Sequence, residues 1–154
     1  MLLENLGNVK EELFKEFLKY LADQKSGNKE LQLPVDIFNN KKLSSLEAIC
    51  KYLKENENFS FYQIAEILNR DNKTAWGTYD KAKKKLSSKF VINEPKYFIP
   101  ISIFKNRKLG VLELICLYLK DNYGLTYHQI AVMLNRNDRT IWSSYKKAKG
   151  KIGK

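Results

Sequence analysis

Apolar residues fall at helical spacing in two sets that match one another. Leu46, Ile49, Cys50 and Leu53 recur every three or four residues, and Leu112, Ile115, Cys116 and Leu119 repeat the pattern 66 residues further on (112 − 46). Ser44, with Glu47 three residues later, reads as a capping box opening the first of these helices, while Gly110 replaces the serine in the second set. Ser60-Phe-Tyr-Gln63 and Thr126-Tyr-His-Gln129 are two further capping boxes. They predict short helices carrying Ile64, Ala65, Ile67 and Leu68, and Ile130, Ala131, Met133 and Leu134. Asn69 and Asn135 stand where these helices stop, a position at which Asn tolerates the left-handed conformation. Asp71 and Asn137 can then cap a longer third helix. Its inward stripe is Ala75, Tyr79, Ala82 and Leu86 in one set and Ile141, Tyr145, Ala148 and Ile152 in the other, at i, i+4, i+7 and i+11.

Laid over one another without a gap, residues 34–88 and 100–154 are identical at 27 of 55 positions. Two copies of one small domain account for this, since a solenoid of shorter units needs three or more repeats to bury a continuous core. The expected organisation is an N-terminal helix and linker (1–32), repeat 1 (33–88), a connector (89–98) and repeat 2 (99–154). A short helix, a tight turn and a longer helix make a helix-turn-helix. The expected fold class is therefore all-α, with two tandem copies of a tri-helical helix-turn-helix domain preceded by an amphipathic helix. That first helix is read over Asn8 to Gln24, ending at Ser26-Gly27-Asn28, with Val9, Leu13, Phe14, Phe17, Leu18 and Leu21 on its apolar side. It either covers the adjacent domain or joins two chains through Leu13, Phe17 and Leu21. The connector, fully extended, spans about 33 Å at roughly 3.3 Å per residue. The Pro-x-x-Ile-Phe stretches, Pro34–Phe38 and Pro100–Phe104, lie outside the three helices and read as a packing strap.

Composition narrows the function classes. An apolar share of 44% supports a packed core, and no run approaches the roughly 18 apolar residues of a membrane span. The N-terminus carries acids where a secretory signal carries bases, so the chain is expected to be cytoplasmic. Cys50, Cys116 and His128 are too few for a structural zinc site, and the cysteines, equivalent across the repeat, read as buried free thiols. A single His, no paired carboxylates at a suggestive site, no Gly-rich phosphate loop and no nucleophile with a candidate base make an enzyme unexpected. No cofactor, metal or small-molecule substrate is expected.

The formal charge is +11. Residues 1–32 carry five Lys against six acids, so the excess lies downstream, and 14 of the 28 basic residues fall within 69–89 and 135–154. One sign concentrated on the same element twice is the footprint of a polyanion binder, although some of the Lys enrichment matches the Asn, Ile and Tyr bias of AT-rich coding sequence. With the inward stripe removed, the third helices offer Lys73, Trp76, Gly77, Asp80 and Lys84, and Arg139, Trp142, Ser143, Lys146 and Gly150. Arg139 can make a bidentate contact to guanine, whereas Lys73 at the equivalent site is a point charge. Trp76 and Trp142 are expected to fold onto the core, the alternative being to stack on sugar or pack a thymine methyl. Arg70 and Arg136, in the turns, either contact phosphate or pair with a nearby acid. The DNA-binding candidates are Arg70, Lys73, Thr74, Trp76, Gly77, Lys81 and Lys84 in the first copy. In the second they are Arg136, Arg139, Thr140, Trp142, Ser143, Lys146, Lys147 and Lys149. Asp80 and Glu66 read as solvated charges.

The strings FSFYQIAEILNRDNKTAWGTYDKAKKKL and LTYHQIAVMLNRNDRTIWSSYKKAKGKI resemble the helix-turn-helix of sigma factor region 4 and of response-regulator output domains. Those families share the Leu-Ser or Leu-Thr start, the Ile-Ala pair, the Leu closing the first motif helix and the Thr-Val/Ile step opening the recognition helix. The resemblance implies duplex DNA held through the third helix, and points to Lys73, Thr74, Trp76 and Gly77, and to Arg139, Thr140, Trp142 and Ser143. Asn69 and Asn135 replace a frequent Gly, and Arg70 and Arg136 replace an apolar residue, which bears on the turn and the docking angle. No counterpart of the polymerase-binding part of a sigma factor is visible in the first 32 residues.

The leading expectation is a non-enzymatic protein that places two modules in the major groove of double-stranded DNA, as a transcriptional regulator or a small chromosome-organising protein. Because the copies are a direct repeat in sequence, a direct-repeat operator is expected unless the connector lets one module turn over. The alternatives are an RNA- or ribosome-binding protein, and an adaptor docking on the transcription machinery.

Overall fold

The computed structural model describes residues 9–20 and 30–153. The chain forms two compact units, Met1–Leu31 and Gln32–Lys154, each taken by itself. In the first, residues 9–20 form helix α1, which leaves Val9, Leu13, Phe14 and Leu18 exposed and Phe17 half-buried. Asn8, Leu21 and the stop at Ser26-Gly27-Asn28 lie outside the described residues.

The second unit is mostly helical and contains both copies. The first copy runs from strand β1 (Gln32–Pro34) and a 3₁₀ turn (Val35–Phe38) into α2 (Ser45–Glu55), α3 (Phe61–Leu68) and α4 (Asn72–Lys85). The second repeats the order with β2 (Phe98–Pro100), a 3₁₀ turn (Ile101–Lys105), α5 (Val111–Tyr123), α6 (Tyr127–Leu134) and α7 (Asp138–Ile152). Helix starts follow the local chemistry. Ser44, Ser60 and Thr126 each accept from the backbone N–H three residues on, while Glu47, Gln63 and Gln129 reach back to complete the boxes. Gly110 has no side chain to offer, and only the returning arm survives there, Glu113 accepting from the Gly110 N–H at 2.7 Å.

Asn69 (φ 55°) and Asn135 (φ 54°) are left-handed. That conformation closes α3 and α6 and lets the next helix start within two residues. Asp71 and Asn137 then accept from the Thr74 and Thr140 N–H groups at 2.6 and 2.8 Å, opening α4 and α7.

Each three-helix set packs its third helix on its first, with Ile49, Cys50, Leu53, Ile64, Leu68, Ala75 and Ala82 buried in one copy and Ile115, Cys116, Leu119, Ile130, Leu134, Ile141 and Ala148 in the other. Ile152, expected on this inward stripe, is 57% exposed, since it lines an open cleft beside Leu114, Leu117 and Tyr118 rather than the closed core. Both cysteines are buried free thiols, and burial pushes their pKa values up to about 12.

The Pro-x-x-Ile-Phe stretches join the copies. β1 and β2 pair antiparallel with Leu33 opposite Ile99, Gln32 opposite Pro100 and Pro34 opposite Phe98. Leu33 and Ile99 are equivalent residues (33 + 66), so the ribbon centres on a pair of matching positions. An antiparallel ladder with that register is two-fold symmetric about its centre. The straps then cross: the 3₁₀ turn of copy 1 packs on α6 of copy 2, that of copy 2 packs on α3 of copy 1, and α2 touches α5. Leu33, Val35, Ile37, Ile99, Ile101 and Phe104 are buried in this shared core. The connector therefore does not hold two separate bodies apart; Phe98 already belongs to the ribbon.

Candidate nucleic-acid interface

The side chains in question stand on α4 and α7, and two polar latches fix each of these helices to the first helix of its copy. Tyr79 Oη donates to Glu55 Oε2 at 3.0 Å, and Tyr145 Oη donates to Asp121 Oδ1 at 2.8 Å. One helical stretch further, Lys85 Nζ donates to both oxygens of buried Glu47 at 2.9 and 3.0 Å, and Lys151 Nζ to both oxygens of Glu113 at 2.7 and 3.1 Å. Burial alone would raise the Glu47 and Glu113 carboxyls. The backbone N–H donors of Ser44 and Gly110 and the two ammonium groups outweigh it and hold both carboxyls below the usual carboxylate value. Ring contacts repeat as well, Phe61 with Tyr79 at 5.6 Å and Tyr127 with Tyr145 at 5.8 Å, beneath Lys54 and Lys120. Lys51, fully buried, donates to Glu55 at 2.6 Å. Its counterpart is Leu117, and nothing in the sequence marked this lysine as interior.

With the helices so held, Trp76 and Trp142 point outward, 56% and 50% exposed. This corrects the expectation that they close the core: Ala75 and Ile141, one residue earlier, occupy the inward position, and a step of 100° carries the next side chain off the buried face. Around them Lys73, Lys81, Arg139, Lys146 and Lys147 are exposed and form no ion pair among the described residues. Gly77 opens onto free space, with nothing beyond its chain neighbours and its own helix backbone within 4 Å of where a Cβ would stand, and both it and Ser143 at the equivalent place are half-buried.

Four other candidates are engaged elsewhere. Lys84 pairs with Asp80 at 2.9 Å, so Asp80 is not simply solvated, and Lys149 pairs with Asp121 at 2.8 Å. Among the described residues neither turn arginine forms an ion pair with an acid. Arg70 donates to the Leu68 carbonyl at 3.2 Å, while Arg136 crosses to the other copy and donates to the Asn40 and Leu43 carbonyls at 2.7 and 3.1 Å. Both caps use the turn's own polar side chains, and the arginines serve the carbonyls left over.

The sequence reading missed the loops from the opposite copy. Lys41 and Lys42 share with Asn135, Arg136, Asn137 and Thr140 a polar cleft of about 660 Å³ at the start of α7. At the start of α4, Asn69 Nδ2 donates to the Lys105 carbonyl at 3.2 Å. Arg107 lies close enough to Arg70 that, after burial, its charge is what most lowers the Arg70 pKa. Each turn is thus bordered by cations that belong, in sequence, to the other repeat. The signal was the identity continuing upstream to Pro34 and Pro100, where the three helices did not need it.

Among the described residues no group of three or more His, Cys, Asp or Glu is placed to hold a metal ion, and no helix is long and apolar enough to cross a membrane. Comparisons with protein-family models, with curated proteins and with solved structures return no match.

Proposed function

We propose that this protein binds duplex DNA without catalysing a reaction, using α3–α4 and α6–α7 as two helix-turn-helix motifs whose third helices enter the major groove. The observation that carries the reading is the outward pair Trp76 and Trp142, each preceded three residues earlier by an exposed cation, Lys73 or Arg139. An indole half in water forgoes hydrophobic stabilisation, so a partner that covers it has something to gain. The neighbouring cations make that partner a polyanion, and Gly77 or Ser143 lets a groove wall come close. Lys81, Lys146 and Lys147 supply phosphate contacts on the flanks. Arg70 and Arg136 act through the turns and the joining of the copies, and Lys149 through its latch to Asp121. A transcriptional regulator or a small chromosome-organising protein fits this reading.

The test is a fluorescence-anisotropy titration with random-sequence duplex DNA across a salt series, beside the double variant Arg139→Ala, Lys146→Ala. Log affinity should fall linearly with log salt at a slope of about −0.9 per phosphate contact, and the variant should bind more weakly with a shallower slope. The two tryptophans are the only ones in the chain, so their own emission should change on binding. Absence of duplex binding at roughly 50 mM salt, where non-specific binders already engage DNA, refutes the proposal and turns attention to structured RNA or a protein partner.

A further inference from the structure

Granting the DNA-binding reading, we infer that the preferred target is an imperfect inverted repeat, its two half-sites running in opposite directions and differing in sequence. The first part follows from symmetry. Leu33 faces Ile99, its own counterpart, across an antiparallel ladder, and the two straps cross reciprocally, one onto α6 and one onto α3. The contacts at the turns are reciprocal too: Arg136 reaches the loop at Asn40 and Leu43, and Asn69 reaches the equivalent loop at Lys105. Two-fold packing of this kind presents the recognition helices in opposite senses. The backbone of duplex DNA has local two-fold axes of its own, and a two-fold protein matches half-sites related by one of them. A direct-repeat target would require the copies to be related by a translation along the duplex, which this register does not provide.

The second part follows from the side chains. Arg139 carries a planar fork suited to the O6 and N7 acceptors of guanine, whereas Lys73 brings a single ammonium to the corresponding place. Ser143 adds a hydroxyl where Gly77 has none, and Lys146 stands where the first copy has Asp80, whose charge is already matched by Lys84. The α7 half-site is therefore the more strongly read, with guanine favoured opposite Arg139. The α4 half-site tolerates more variation.

The experiment is selection of bound sequences from a library of randomised duplexes by the full chain. The enriched sequences should contain two half-sites in inverted orientation, one better defined than the other. Reversing one half-site in the winner should weaken binding about tenfold or more. The variant Lys73→Arg, Gly77→Ser, which copies α7 residues onto an exposed and an unobstructed position of α4, should select a more nearly palindromic sequence. Half-sites in the same direction, a single half-site, or duplex retention without any enriched sequence would each overturn the inference and leave the DNA-binding reading intact. No retention of duplex DNA would overturn that reading, and the inference with it.

Discussion

Arg136 and Arg70 occupy the same place in the two repeats, so replacing each with alanine isolates what differs between them. Arg136 makes two hydrogen bonds to carbonyls of the opposite copy, at 2.7 and 3.1 Å, from a half-buried position. A hydrogen bond from a charged donor contributes about 1.5–3 kcal/mol, and water can take over part of that role here, so Arg136→Ala should cost about 2 kcal/mol. Arg70 bonds only within its own copy, at 3.2 Å, and sits beside Arg107, a like charge. Its removal loses one weaker bond and relieves repulsion, so Arg70→Ala should cost about 0.5 kcal/mol or less. Urea unfolding followed by far-ultraviolet circular dichroism measures both. With a slope of about 2 kcal/mol per molar urea, the midpoint for Arg136→Ala should move down by about 1 M and that for Arg70→Ala by about a quarter of this. Equal shifts in the two variants, or none for Arg136→Ala, would refute the claim that this arginine fastens the copies together.

Three further outcomes are expected. Gly77→Ala should stabilise the fold by about 0.5–1 kcal/mol, because the site is helical and unobstructed, and leave duplex binding nearly unchanged, since the larger Ser143 stands at the equivalent place; thermal melts and anisotropy check the two effects. Glu47 and Glu113 have lowered pKa values in the folded state, so the stability they contribute is fully present above the ordinary carboxyl value of 4.5 and is lost as pH falls through their folded values. Glu113→Gln should cost about 1 kcal/mol at neutral pH and make the acid-induced loss of stability smaller, read from urea midpoints across a pH series. Cys50 and Cys116 should react with a disulfide reagent at pH 8 only as fast as the chain opens, since burial holds the thiols at about 12; rapid labelling of the native protein would contradict their placement.

What could be read from the sequence and what could not divides along the range of the interactions. The capping boxes, the left-handed Asn69 and Asn135 and the caps at Asp71 and Asn137 each involve residues two to four apart, and the residue types state their roles directly. The ribbon centred on Leu33 and Ile99 joins segments 66 residues apart, and three-residue strands carry no period of their own to announce them. The tryptophans were misplaced because their size argues for the interior while their position on the helix argues against it, and position prevailed. For the arginines, a charge in a turn invites a search for an acid, whereas the unmet need was for donors to backbone carbonyls. The loop cations Lys41, Lys42, Lys105 and Arg107 look like ordinary surface charge until the crossing straps bring them beside the opposite turn.

The two-fold ribbon has a consequence for dilution and for divergence. A pair of identical subunits comes apart as its concentration falls, and any substitution in one appears in both. Here the second half is tethered by a connector of about ten residues, so its local concentration is of millimolar order whatever the abundance of the chain. The assembled surface then persists at a few molecules per cell, and each half is free to change alone. Lys73 and Arg139, at the same position on matching helices, therefore do not have to agree.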